Sequence, residues 1–203
     1  LSLNYDIDTR RPITEPFYGR FIRFQLEPGF SNITKIGGSV AADTDVLGNS
    51  SFLRSSVEYR QYWSKALKPG DAFDKPRPVV AFRAKYGTIS GKVPFYEQFF
   101  LGGSSSLRGY DNQRFWGSQT FMTSLEYRYP LQKSFNLVGF VDYGGAWNGY
   151  GRLRDYSQSD KIKLYMGYGL GAAFKTPLGP IRIDFGVSQE GKIRTHFAFG
   201  TSF

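Results

Sequence analysis

Cysteine is absent, histidine occurs once, and no stretch approaches the roughly eighteen consecutive apolar residues that a membrane-spanning helix requires. These absences exclude a disulfide framework, a thiolate metal site and a helical span within the sequence. Metal-ligand spacing is also missing, and Leu101–Gly109 lacks the Gly-Lys-Ser/Thr of a phosphate loop. No cofactor is therefore expected. The opening Leu1-Ser2-Leu3-Asn4 carries no signal-peptide pattern, so the chain is expected to begin after any targeting segment or well inside a longer protein.

What is abundant points elsewhere. Aromatics make up 18% of the residues and there are 24 glycines, yet the mean hydropathy is only -0.37. Strands with one lipid face and one wet face produce that mixture. The formal net charge of +9 would suit nucleic acid if the cations were clustered. They are instead spread along alternating positions, which places them on a lumen or rim, and no nucleic-acid partner is expected.

Apolar and polar residues alternate through Leu1–Asp8, Arg20–Glu27, Phe52–Trp63, Val79–Ile89 and Gln119–Leu131. Further strands are predicted over 135–147, 163–175, 181–188 and 195–203. In the fifth, Phe121, Thr123, Leu125, Tyr127 and Tyr129 oppose Met122, Ser124, Glu126 and Arg128. In the seventh, Gly167, Gly169, Gly171 and Ala173 form a face that permits close approach of something packed inside. Pro28-Gly29 reads as the end of the second strand, and 30–50 as a long polar loop with strand extensions at its base. Short Pro/Gly turns are expected at one end of the sheet and longer polar loops at the other.

The fold class is thus all-β, a transmembrane antiparallel barrel of about eight or nine strands forming a single domain over 1–203. A soluble sandwich would need dry faces, and the inner faces here carry too many charges for a sealed core. Nine antiparallel strands cannot close on themselves, since the first and last would run parallel. An eight-stranded closed barrel, a portion of a larger barrel, and sheets combined from two chains all remain open.

The chain is organised around Pro94–Tyr110, an aromatic lead-in that runs through Leu101-Gly102-Gly103 and three serines to Leu107-Arg108-Gly109-Tyr110. Glycines allow tight backbone turns while Arg108 is held on a defined side, as in the tip of a plug. This run closely resembles the motif loop of the BamA family in the outer-membrane-protein-85 superfamily. Ser124–Leu131, Gly139–Trp147, Thr176–Gly186 and the aromatic-ended last strand resemble the family's succeeding strands, its last hairpin and its terminal signal. Tyr5–Gly19 resembles the segment opening the second half of its barrel. The resemblance implies strands eight to sixteen of a sixteen-stranded barrel of the bacterial surface-antigen type, with no periplasmic repeats in this chain.

It also implies roles for particular residues. Gly102, Gly103, Leu107, Arg108, Gly109 and Tyr110 would form the plug-loop motif, with Arg108 clamped by Glu126 and Asp142. Phe197, Phe199, Gly200 and Phe203 would form a terminal-strand signal and lateral gate, the aromatics facing lipid. The implied activity is insertion of client barrels at a strand edge in the bacterial outer membrane, without covalent chemistry; an organelle outer envelope is the second location. Implied partners are membrane lipids, unfolded outer-membrane protein clients, periplasmic repeats or accessory assembly proteins, and other copies through sheet edges. Alternatives are a polypeptide-exporting pore of the same superfamily and a barrel-embedded hydrolase using His196, Asp184 and Ser202. No nucleophile motif surrounds Ser202, which argues against the last.

Overall fold

In the computed structural model, residues 1–35, 47–66, 68–70, 72, 75–151, 160–176, 179–200 and 203 are described. Their dominant feature is one antiparallel sheet of nine strands in chain order. It consists of β1 (Leu3–Asp8), β2 (Gly19–Ile33), β3 (Gly48–Ser64), β4 (Val79–Gly91), β7 (Gln119–Gln132), β8 (Phe135–Trp147), β9 (Tyr165–Thr176), β10 (Gly179–Ser188) and β11 (Ile193–Phe199). Two short strands, β5 (Phe99–Leu101) and β6 (Phe115–Gly117), pair with each other between β4 and β7. Sequence alternation misses them because three residues are too few to show a period.

The sheet is open: β1 and β11 do not pair with each other. Of the three closures left open by sequence, the eight-stranded closed barrel is therefore excluded. Neighbours follow one another in the chain except that β4 meets β7 past the β5–β6 pair, and alternation that keeps apolar groups outward fixes the registers. Leu125, Tyr127, Leu137, Val141, Leu170 and Phe185 stand exposed on the outer face. Ser124, Glu126, Asp142, Arg182 and Asp184 are buried on the inner one. This inversion of the soluble pattern is what a bilayer outside and a polar lumen inside demand.

Two sequence expectations are corrected. Pro28-Gly29 does not end the second strand, because β2 continues to Ile33 while pairing with β3. Pro28 and Gly29 lie within this pairing, opposite Leu53 and Phe52 of β3. Nor do short turns and long loops separate cleanly between the ends. The brief β10–β11 connection, 189–192, falls at the long-loop end, and the longer 65–78 connection falls at the other. Much of the predicted loops 30–50 and 148–161 lies outside the described residues.

Candidate functional site

The segment between β4 and β7 folds back over the inner face. A 3-10 turn at Phe95–Glu97 leads into β5, and Phe95 packs edge-on against Phe100, Trp116 and Tyr150. Gly102 and Gly103 then adopt φ of 116° and 95°, a region open to glycine and strained for other residues. The turn closes locally: the Gly102 N–H donates to Ser106 Oγ at 2.9 Å and the Gly103 N–H to the Leu107 carbonyl at 3.2 Å. Leu107 is fully buried among Leu101, Tyr110, Phe115, Met122 and Ala146, which fixes the direction in which the next residue points.

That residue is Arg108, 2% exposed, beside Glu126 and Asp142, both 0%. Ser124 of β7 lies directly opposite Asp142 of β8, and Glu126 opposite Phe140, so the two acids are diagonal neighbours on the inner face. A guanidinium fork fits that diagonal. Arg108 Nε and Nη2 donate to the two Asp142 oxygens, each at 2.7 Å, and Nη1 donates to Glu126 Oε1 at 2.6 Å. The Arg108 backbone N–H also donates to Asp142 Oδ2 at 3.0 Å, and the Ser124 hydroxyl to Oδ1 at 2.6 Å. Arg108 Cζ lies 3.6 Å from the centre of the Phe140 ring, a cation-π contact beneath the fork.

Sequence reasoning found three members of this network and missed three more. Arg182 donates to Glu126 Oε1 at 3.1 Å and to Asp184 at 3.0 Å, and Arg128 Nε donates to Glu126 Oε2 at 2.9 Å. Asp184 also lies 3.5 Å from Arg108 Nη1. Three guanidiniums thus face three carboxylates, which keeps the buried cluster neutral as a whole. The inward parity of Arg182 and Asp184 was visible in the alternation; their convergence on a loop about seventy residues earlier in the chain was not. Burial disfavours the Arg108 charge, but its bonds to Asp142 and the fields of Glu126, Asp142 and Asp184 outweigh this and hold its pKa above the ordinary value.

Of the glycine face that the sequence predicts on β9, Gly167 lies beneath the loop, while Gly169 and Gly171 make room for Phe140 and Asp184. A Cβ on Gly167 would collide with the Arg108 carbonyl, and one on Gly186 of β10 with the Gly109 backbone nitrogen. Gly109 itself has φ 92°. Backbone therefore rests on backbone where the motif crosses these strands.

The terminal strand divides its aromatics. Phe197 and Phe199 are exposed on the outer face, at 70% and 87%. Phe203, expected beside them, is instead 5% exposed, its ring 6.4 Å from that of Tyr62 and near the guanidiniums of Arg83 and Arg128. Strict alternation ends at Gly200, whose φ of 96° breaks the strand while its N–H donates to the Pro180 carbonyl at 2.7 Å. His196 faces inward and lies opposite Asp184, but its Nε2 accepts the Gly109 N–H at 3.1 Å. Ser202 lies outside the described residues.

A greasy outer wall, a charged inner wall and a loop seated on the charges define a portion of a membrane β-barrel with an internal loop. The chain belongs to the Omp85 superfamily, whose domain model matches residues 1–203. It is 26% identical over 167 residues to the outer membrane protein assembly factor BamA of Nitratidesulfovibrio vulgaris, covering 74% of this chain and 19% of that protein. It is 29% identical over 122 residues to outer envelope protein 80 of Arabidopsis thaliana chloroplasts, covering 59% of this chain and 17% of that protein. The fold matches the crystal structure of Haemophilus ducreyi BamA lacking POTRA domains 1–3, with a TM-score of 0.67 at 14% identity over 98% of this chain and 41% of that one. The chain thus spans less than a fifth of the length of these two sequence relatives.

Proposed function

We propose that this chain is the carboxy-terminal part of a BamA-type barrel of the outer membrane, which assists insertion of other barrel proteins without covalent chemistry. Unfolded outer-membrane proteins are the clients, and the surrounding lipid is the second partner. The observation that carries this reading is the seating of Arg108 on Glu126 and Asp142 against the inner wall of a sheet that ends, within this chain, at β11. An edge with one row of ladder groups exposed is a template for an incoming strand. A loop anchored to the wall beside it keeps the lumen shape defined while that edge is in use.

The test is reconstitution of the full-length protein in liposomes with a urea-unfolded small barrel client. Insertion is followed as the folded, heat-modifiable band in gel electrophoresis. Acceleration over empty liposomes, lost in Arg108→Ala, is expected; equal rates with and without the protein would sink the proposal.

The polar cleft between the loop and β3–β4, about 890 Å³ and bordered by Arg60, Arg83, Lys85, Ser104 and Asn112, favours a second reading as a polypeptide-exporting pore. Movement of the loop would widen that path. Ion conductance that rises in Arg108→Ala, with no client insertion by the native protein, distinguishes the exporter from the insertase.

A further inference from the structure

Clamping by Glu126 and Asp142 ties the motif loop to β7 and β8, and Gly167 and Gly186 seat it on β9 and β10. Neither contact involves the edge strand. β11 nevertheless reaches the loop, through side chains on its inner face. Arg194 Nε and Nη2 donate to the two carboxylate oxygens of Asp111 at 2.6 and 2.8 Å, and Nη1 to the Gly109 carbonyl at 3.3 Å. Two residues on, His196 Nε2 accepts the Gly109 N–H at 3.1 Å, so this imidazole carries its proton on Nδ1. Arg194 is in register with Gly186, which presents no side chain across its path to Asp111. Tyr110 adds a third tie beside these: its hydroxyl donates to the Met166 carbonyl and accepts the Gln189 N–H, at the base of the turn that opens β11.

We propose that Arg194 and His196 are positioning residues that fasten the motif loop to the terminal edge strand, so that seating of the loop and attachment of the edge form one coupled equilibrium. Within this chain β11 is seven residues long and ladders with β10. A bidentate ion pair and two further hydrogen bonds add to that attachment. Loosening β11 must break bonds to Gly109 and Asp111, and lifting the loop must take the same bonds from β11, leaving it on its ladder with β10. The coupling rests on the insertase reading only for its use, because it can be measured without a client.

The experiment is hydrogen exchange, read by mass spectrometry, on the full-length protein in lipid nanodiscs. In Arg194→Ala, amides of 109–111 and of 193–199 are both expected to exchange about tenfold faster, while those of 122–126 and 140–142 keep native rates. Asp111→Ala breaks the same pair from the loop side and must reproduce the result, which protects the test if one variant folds poorly. The exchanged pair, Arg194→Asp with Asp111→Arg, is expected to restore both segments, as a loss of packing alone would not allow. His196→Gln, whose amide oxygen can accept the Gly109 N–H, should stay near native rates where His196→Ala does not. Acceleration confined to 193–199 with 109–111 unchanged, or no recovery in the exchanged pair, overturns the coupling. Coupled exchange in a protein that fails to insert clients would instead overturn the insertase reading and leave the coupling standing.

Discussion

Arg108 makes its five side-chain and backbone bonds to a serine and two acids, and each type of substitution removes a different part of that set. Alanine leaves Glu126 with Arg128 and Arg182 beside it, but leaves Asp142 buried without the bidentate partner. Stranding a buried charge costs about 3 to 5 kcal/mol. Arg108→Ala is therefore expected to lower the denaturant midpoint of the refolded barrel and to expose the loop to trypsin at Arg114. Lysine is not a conservative replacement, because one ammonium cannot span a diagonal that a planar fork bridges. Arg108→Lys should resemble alanine in the same two assays; native protease resistance in that variant would show that charge alone seats the loop.

Glu126 shows how the charge count within the cluster matters. Neutralising it leaves three guanidiniums against Asp142 and Asp184. Glu126→Gln is expected to destabilise, and Arg128→Gln added to it should recover part of the loss by restoring the balance. A double-mutant cycle on unfolding free energies checks this, with a coupling of about 1 kcal/mol or more expected and strict additivity as the failing result.

At the scale of elements, the glycines decide whether loop and sheet can meet. A Cβ at Gly167 or Gly186 would enter the Arg108–Gly109 backbone, whereas one at Gly139 of β8 would find only Leu170 Cδ2, at 3.7 Å. Gly167→Ala should therefore unseat the loop at an overpacking cost of about 1–3 kcal/mol, and Gly139→Ala should be silent. Limited proteolysis of the two variants separates these outcomes, and equal resistance would contradict the seating described. Gly200 is a different case. Among the described residues no atom outside its chain neighbours lies within 4 Å of a Cβ placed there, but its φ of 96° penalises any other residue. Gly200→Ala is expected to cost about 1–2 kcal/mol and to draw Phe203 out of its site between Arg83 and Arg128, detectable as greater solvent access of that ring.

For the whole molecule, the two end strands matter most. β1 has β2 as its strand neighbour and β11 has β10, and β1 and β11 do not pair with each other. Exposed ladder edges associate. The 203-residue chain refolded alone in detergent is expected to form multimers through these edges, shown by light scattering on the eluting peak. A monodisperse single-chain particle would mean that the two edges are covered in some other way.

All nine strands of the large sheet were legible in the sequence, most of them from a side-chain period of two, which is a local property of extended chain; 135–147, apolar on both faces but for Asp142, was legible as a continuous apolar run instead. The pairing of Arg108 with Glu126 and Asp142 was implied by the resemblance of the loop and its two successor strands to the BamA family, with alternation supplying only the inward parity of Glu126. Only tertiary structure brought Arg182, Asp184, Arg194 and His196 to that loop, since their approach depends on strand stagger and sheet curvature summed over several strands. It also placed Phe203 inward, beyond the end of β11 at Phe199 and the left-handed Gly200, where strand alternation no longer applies. And it decided that the large sheet has nine strands rather than eight, so that its first and last run parallel and do not pair.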